Sequence, residues 1–136
     1  MTRIVSRWNP LLLRGQVTDV PMHDEELGPI SRAEANEALA NGTAEDVAAT
    51  MIRLALHDPD PAFIQHMCLA RLEHPNVWVR RDCATALGHV ARLHGTLDLA
   101  EVLPALGKLW EDPDVVPWVE AAMDDIRMFI GPPNDT

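Results

Sequence analysis

The sequence is poor in the features that β-sheets, membrane helices and disulfide frameworks require. It contains no tyrosine, its aromatic residues make up only 4% of the chain, and no segment alternates apolar with polar residues as a half-buried strand does. No apolar run approaches the roughly 18 residues of a membrane helix, and residues 11–13 are too few for a signal-peptide core. Two cysteines, Cys68 and Cys83, fall on apolar helical stripes, so buried thiols are expected. These absences favour an all-α protein of the cytoplasm.

Basic residues are also scarce. Eleven lysines and arginines stand against 21 aspartates and glutamates, which gives a formal net charge of −10. This charge repels phosphates and so argues against unaided binding of nucleic acid. It favours a cationic protein partner, whose encounter with an acidic surface is faster, although the charge could equally serve solubility alone. The acidity is concentrated near the C-terminus, with nine acidic and two basic residues from Asp98 onward.

The chain divides into two regions by pattern. Residues 1–30 have no helical period and are interrupted by proline and glycine, yet they include apolar residues such as Trp8. They are predicted to form an irregular N-terminal arm, which either covers an exposed end of the helices or docks on a partner. Residues 31–136 carry apolar residues at helical spacing and are predicted to form one helical domain.

Turn and capping signals divide this domain into about five to six antiparallel helices. Capping boxes are predicted at Ser31 and Asp98, each followed three residues later by a glutamate, and another helix is predicted to begin at Thr43 with acidic residues in its first turn. Gly95 is expected to stop the longest helix, and Trp110 is expected to face the core. The predicted helices span about residues 31–42, 43–57, 60–73, 76–95, 98–110 and 115–130.

Two of these turns carry a recurring pattern. Pro75-x-Val77-x-Val79-Arg80, with an Ala-rich run that follows, resembles the second helix of a HEAT repeat, and a related pattern surrounds Pro113, 38 residues further on. This spacing is close to the roughly 40 residues of such repeats. The second copy lacks the Val-Arg pair, as a divergent end repeat would. The resemblance implies a HEAT-like α–α superhelix, a scaffold that serves many functions.

A narrower resemblance concerns residues 87–95, Leu-Gly-His-Val-Ala-Arg-Leu-His-Gly, together with residues 122–126, Ala-Met-Asp-Asp-Ile. This combination is similar to small bacterial HEAT-repeat immunity proteins of polymorphic toxin systems. Such a resemblance implies a small, acidic, cytoplasmic protein that binds and blocks a toxin domain.

Polar and aromatic residues recur three and four positions apart on the non-apolar side of the longest helix, and a second row occurs on the last helix. Because second helices of stacked repeats lie side by side, the two rows are expected to form one binding surface with tryptophan and arginine anchors. The alternative is that the tryptophans pack over neighbouring turns and the charges form a solvated face. The predicted partner-binding residues are Trp78, Arg81, Asp82, Thr85, His89, Arg92, Trp118, Asp124 and Asp125.

Signals for metals, cofactors and catalysis are weak. The sequence has no His-Glu-x-x-His motif and no paired-cysteine spacing, and His89 and His94 are too far apart in sequence to share a helical face as an i, i+4 pair. It has neither a Gly-rich phosphate loop nor a nucleophile elbow. We therefore expect no metal, no cofactor and no enzymatic activity.

The function predicted from the sequence is sequestration and inhibition of a cationic bacterial toxin domain by an immunity-type protein that is monomeric when free. A HEAT-type adaptor in a bacterial complex is the second interpretation. An enzyme resembling the HEAT-repeat bilin lyases is the third, because little beyond the fold supports it.

Overall fold

The computed structural model describes residues 28–130, and over this range the protein is all-α with six α-helices and no strand. The predicted fold class is therefore confirmed. Most of the predicted N-terminal arm (residues 1–27) and the predicted stop at residues 131–133 lie outside the described residues. The helices are α1 (Arg32–Asn41), α2 (Ala44–His57), α3 (Pro61–Leu69), α4 (Val77–His94), α5 (Leu99–Lys108) and α6 (Val116–Phe129), with a 3-10 turn at Leu109–Glu111.

Local capping chemistry accounts for most helix boundaries. Ser31 forms the predicted capping box and Thr43 forms another, and in both the hydroxyl accepts from the N3 amide and the N3 acid accepts from the cap amide. Asn76 accepts hydrogen bonds from the amides of Trp78 and Val79, which starts α4 directly after the Pro75 turn. These bonds satisfy amides that have no partner within their own helix.

The end of α4 depends on a residue that tolerates left-handed backbone. Gly95 follows the helix with φ of +66°, and its amide bonds to the Ala91 carbonyl. Residues with a Cβ rarely adopt this conformation, so glycine ends the helix here as predicted.

α4 is the centre of the packing. The contacts of α4 with α2 and with α6 are more extensive than those of any other helix pair in the described range, and α3 covers a further part of α4. The predicted inward face of α4 is fully buried, as are the large apolar residues that meet it from the other helices. Its buried members are Val79, Cys83, Ala86, Leu87 and Val90.

Helix α3 is shorter than predicted. It ends at Leu69 instead of Glu73, because the chain then tightens: the Arg71 amide bonds to the Cys68 carbonyl three residues back. The Arg71 guanidinium also bonds to the Met67 carbonyl at 3.0 Å, which satisfies one of the last carbonyls of α3. The tighter path still places Leu72 in the core.

The start of α5 and the position of Trp110 also differ from the predictions. Asp98 caps α5 through its side chain, but its own amide bonds to Gln65 of α3 at 2.7 Å, so the acid at position 101 is not needed for a capping box. Trp110 is 42% exposed because the chain changes to a 3-10 turn at Leu109, which rotates the following side chain away from the core.

The last residues of the predicted arm are held against α2. Arg53 donates from Nε to the Gly28 carbonyl at 2.8 Å and from Nη2 to the Pro29 carbonyl at 2.7 Å. Ile30 packs against the core beside them. The chain therefore enters α1 along the surface of α2.

Candidate functional site

The two helices that carry the predicted rows of partner-binding residues lie side by side and run in the same direction. Arg81 in the first turns of α4 contacts Trp118 in the first turn of α6. About two helical turns further along α4, Gly88 lies against Ala122 and Asp125 of α6. Equal steps along both helices therefore keep the two rows together, and we name this face the α4–α6 surface.

Arg80 fixes the beginning of α6 relative to α4. Its Nε donates to Asp112 at 3.1 Å, and its Nη1 donates to the carbonyls of His74 and Pro75 at 2.9 and 3.0 Å. The side chain thus joins the turn before α4 to the turn before α6. Sequence reasoning gave Arg80 no role. Its position directly after the buried Val79, at the edge of the apolar face, was the available signal.

At one end of the α4–α6 surface, an arginine lies over two indole rings. The guanidinium carbon of Arg81 is 3.9 Å from the ring centroid of Trp118 and 4.7 Å from that of Trp78. Its Nε also donates to the Asp114 carbonyl at 3.3 Å. Cation–π attraction and this hydrogen bond hold a long side chain in one position.

The two indoles differ in their exposure. Trp78 is 55% exposed, whereas Trp118 is partly buried. Exposed tryptophan is uncommon on a protein surface that meets only water, and tryptophan and arginine dominate the energetics of protein interfaces. This end of the surface therefore has the composition of an interface anchor.

The other end carries a second cluster around His89. Arg92 Nη2 donates to His89 Nδ1 at 2.6 Å, which requires a neutral imidazole with its proton on Nε2. Burial, together with the charge of Arg92, lowers the pKa of His89 to about 4. Burial raises the pKa of the Asp125 carboxyl, with Arg92 opposing the shift and Asp124 adding to it. The ring of His89 is thus uncharged at neutral pH.

The remaining predicted site residues are less closely grouped. Asp82 and Thr85 are partly buried on α4, and Thr85 lies between the two clusters by helical spacing. Asp124 is exposed and forms an ion pair with Arg127. The structure therefore groups Trp78, Arg81 and Trp118 at one end and His89, Arg92 and Asp125 at the other.

A shallow depression of about 370 Å³ lies elsewhere, between the turn before α4 and the end of α5. Its charged lining residues pair with one another, Arg80 with Asp112 at 3.1 Å and Lys108 with Glu73 at 3.5 Å. These pairs serve the fold, so the depression offers a ligand little beyond a polar surface.

Across residues 28–130, no group of three histidine, cysteine or acidic side chains is arranged to hold a metal ion. Cys68 and Cys83 are buried free thiols, as predicted. Burial raises the pKa of the Cys68 thiol well above its ordinary value, and a hydrogen bond with Cys83 adds to this shift. A protonated, inaccessible thiol is a poor nucleophile.

None of the helices in the described range combines the length and the hydrophobicity needed to cross a membrane. Among solved structures, a chain in the crystal structure of a CDI complex from Cupriavidus taiwanensis is similar to this protein. The two are 28% identical, superpose with a TM-score of 0.70, and match over 80% of this chain and 98% of that chain. No protein-family model matches the chain, and no curated protein matches it. Because the match covers 80% of this chain, the similarity is not confined to one helical hairpin.

Proposed function

We propose that this protein is an immunity-type protein that sequesters a bacterial toxin domain and inhibits it by protein–protein contact. The observation that carries the proposal is the similarity to a chain of a CDI complex over 98% of that chain's length, CDI standing for contact-dependent inhibition. The independent resemblance of residues 87–95 and 122–126 to immunity proteins agrees with it.

The α4–α6 surface is the proposed contact site. Arg81 is already held by contacts with both Trp78 and Trp118, so little side-chain entropy would be lost when a partner binds. The exposed indole of Trp78 supplies apolar area that a partner can bury. The cluster of His89, Arg92 and Asp125 provides polar contacts at the far end of the same face.

Charge supports a predominantly cationic partner. The chain has a formal charge of −10, and acidic residues are most frequent from Asp98 onward. Asp124 and Glu120 of α6 are exposed beside the proposed contact. This field would accelerate encounter with a basic toxin surface and would weaken as salt screens it.

The proposal includes several further properties. The protein acts by binding, without catalysis, in the cytoplasm, and it is monomeric when free. The pairing of α4 with α6 and the 38-residue interval between Pro75 and Pro113 support its assignment as a HEAT-like stack.

The test is co-expression with the toxin domain encoded by the neighbouring reading frame. Cells that produce that toxin should grow only when this protein is present, and the two proteins should co-purify at equal stoichiometry by size-exclusion chromatography with light scattering. A toxin from an unrelated system serves as the control and should not be neutralised. Absence of rescue, with this protein folded and expressed, would contradict the proposal and favour the adaptor interpretation.

A further inference from the structure

The guanidinium of Arg81 makes three contacts within the fold. Its central carbon lies over the Trp118 ring at 3.9 Å and over the Trp78 ring at 4.7 Å from the centroids, and its Nε donates to the Asp114 carbonyl at 3.3 Å. Nη1 and Nη2 of Arg81 make no hydrogen bond among the described residues, so a new acceptor would bind in the plane of the group, along the edge that these two nitrogens form. An in-plane approach favours an acceptor with two oxygens at the spacing of a carboxylate.

Arg81 is one of four basic residues in the described range that form no ion pair with a carboxylate there; the others are Arg53, Arg71 and Arg92. Among the ion pairs of the described residues, Arg81 has no carboxylate within the 4.0 Å limit of a salt bridge, although the chain holds 21 acidic residues and 11 basic ones. Other basic side chains find carboxylates within the fold. Those that do are Arg32, Arg80, Lys108 and Arg127.

We infer that Arg81 binds an aspartate or glutamate side chain of the partner protein, edge-on through Nη1 and Nη2, beside the two indoles. The inference rests on the proposed function and specifies the chemistry of its contact site. A partner that is basic overall would thus place one acidic side chain at the centre of its interface. That arrangement fixes the relative orientation of the two proteins. In any other orientation the partner's carboxylate would lie against acidic residues of this protein, which would repel it.

The inference favours a carboxylate over the other ligands that arginine binds. A partner aromatic ring would compete with Trp78 and Trp118, whose rings the guanidinium already contacts, and a partner cation would be repelled by the positive charge of Arg81. A phosphate could use the same edge, but its larger negative charge is repelled more strongly by a protein of net charge −10.

The first experiment is a double-mutant cycle in the complex with the co-encoded toxin. Arg81→Gln should weaken binding about 30-fold or more, as truncation of a desolvated charge pair does. Lys108→Gln removes the same charge from an exposed side chain outside the α4–α6 surface and should change affinity less than about threefold. Each acidic residue of the toxin is then replaced by its amide, and one of these replacements should weaken wild-type binding but leave Arg81→Gln binding almost unchanged.

The possible results distinguish a failure of the inference about Arg81 from a failure of the proposed function. If the complex forms but no toxin carboxylate couples to Arg81, the inference is overturned while the proposed function stands. If no complex forms, the proposed function fails, and the inference about Arg81 is then tested on the free protein. In that case the Arg81 Nε–H signal is followed by NMR at constant ionic strength during titration with N-acetyl-aspartate N-methylamide.

The expected result for the free protein is a saturable shift of that signal, absent with the neutral asparagine analogue and absent in Arg81→Gln. Inorganic phosphate is titrated separately. A shift with phosphate and none with the aspartate analogue would overturn the inference in favour of a phosphate ligand, and no shift with either would overturn it outright.

Discussion

Gly88 of α4 packs directly against Ala122 of α6: a Cβ added at Gly88 would lie 3.3 Å from the Ala122 Cα. The same atom would lie 2.9 Å from Asp125 Oδ2. Absence of a side chain at this one position lets the two helices approach closely, and their closeness makes a single α4–α6 surface out of two rows of side chains.

This contact predicts that Gly88→Ala gains no stability. Alanine in a helix interior ordinarily stabilises by about 1 kcal/mol relative to glycine. At Gly88 we expect crowding against α6 to offset that gain. Gly107→Ala in α5 is the matched control, because nothing lies within 4 Å of an added Cβ there, and it should stabilise by about 0.5–1 kcal/mol. Urea unfolding measures both, and equal stabilisation of the two variants would disprove the crowding.

Much of the fold could be predicted because local chemistry determines it. The Ser31 and Thr43 boxes and the Gly95 stop depend on residues within one helical turn of each other, so the sequence pattern contains the whole interaction. The buried stripe of α4 follows in the same way from helical periodicity.

The features that sequence reasoning missed depend on distant residues. The Asp98 amide finds its acceptor on Gln65, and Arg80 finds Asp112, each more than 30 positions away. The Pro75-to-Pro113 interval did predict that α4 and α6 lie together. The contact of Arg81 with both Trp78 and Trp118 also depends on the directions of the side chains, and a repeat interval does not predict these. The partner-binding role of the grouped residues stays a prediction.

A combined substitution tests the α4–α6 surface. Trp78→Ala with Arg81→Glu should weaken toxin binding by at least about 2 kcal/mol, because it removes an exposed aromatic anchor and reverses the charge beside it. Thermal unfolding should change little, since Trp78 is 55% exposed. Trp110→Ala removes a comparably exposed indole from the 3-10 turn after α5 and should leave affinity unchanged. Unaltered affinity in the double variant, measured by calorimetry, would exclude this surface.

The buried imidazole predicts a loss of stability in mild acid. Because the pKa of His89 is lowered from 6.5 to about 4, the unfolded chain binds a proton between these pH values that the folded chain does not. Stability should therefore fall as the pH decreases from about 6.5 to 4. His89→Gln should lack this decrease in the free energy of unfolding between pH 6.5 and 4, whereas His66→Gln, at an exposed position of α3, should retain it. Urea unfolding at pH 7, 5.5 and 4.5 provides the measurement, and parallel slopes for all three proteins would refute the assignment.

The ion pair between α1 and the end of α2 predicts a separate acid transition. Arg32 donates from Nε and Nη2 to Asp58 at 3.1 and 3.0 Å, and these bonds lower the pKa of Asp58 below 3.8, although burial opposes the shift. The stabilisation is present above about pH 4 and is lost as the pH falls through the folded-state pKa. Asp58→Asn should thus be less stable than wild type at pH 7, with the difference shrinking below pH 4. Glu120→Gln, which alters an exposed acid of α6, should show no such convergence. A stability difference for Asp58→Asn that persists undiminished at pH 2 would assign the effect to hydrogen-bond geometry instead of charge.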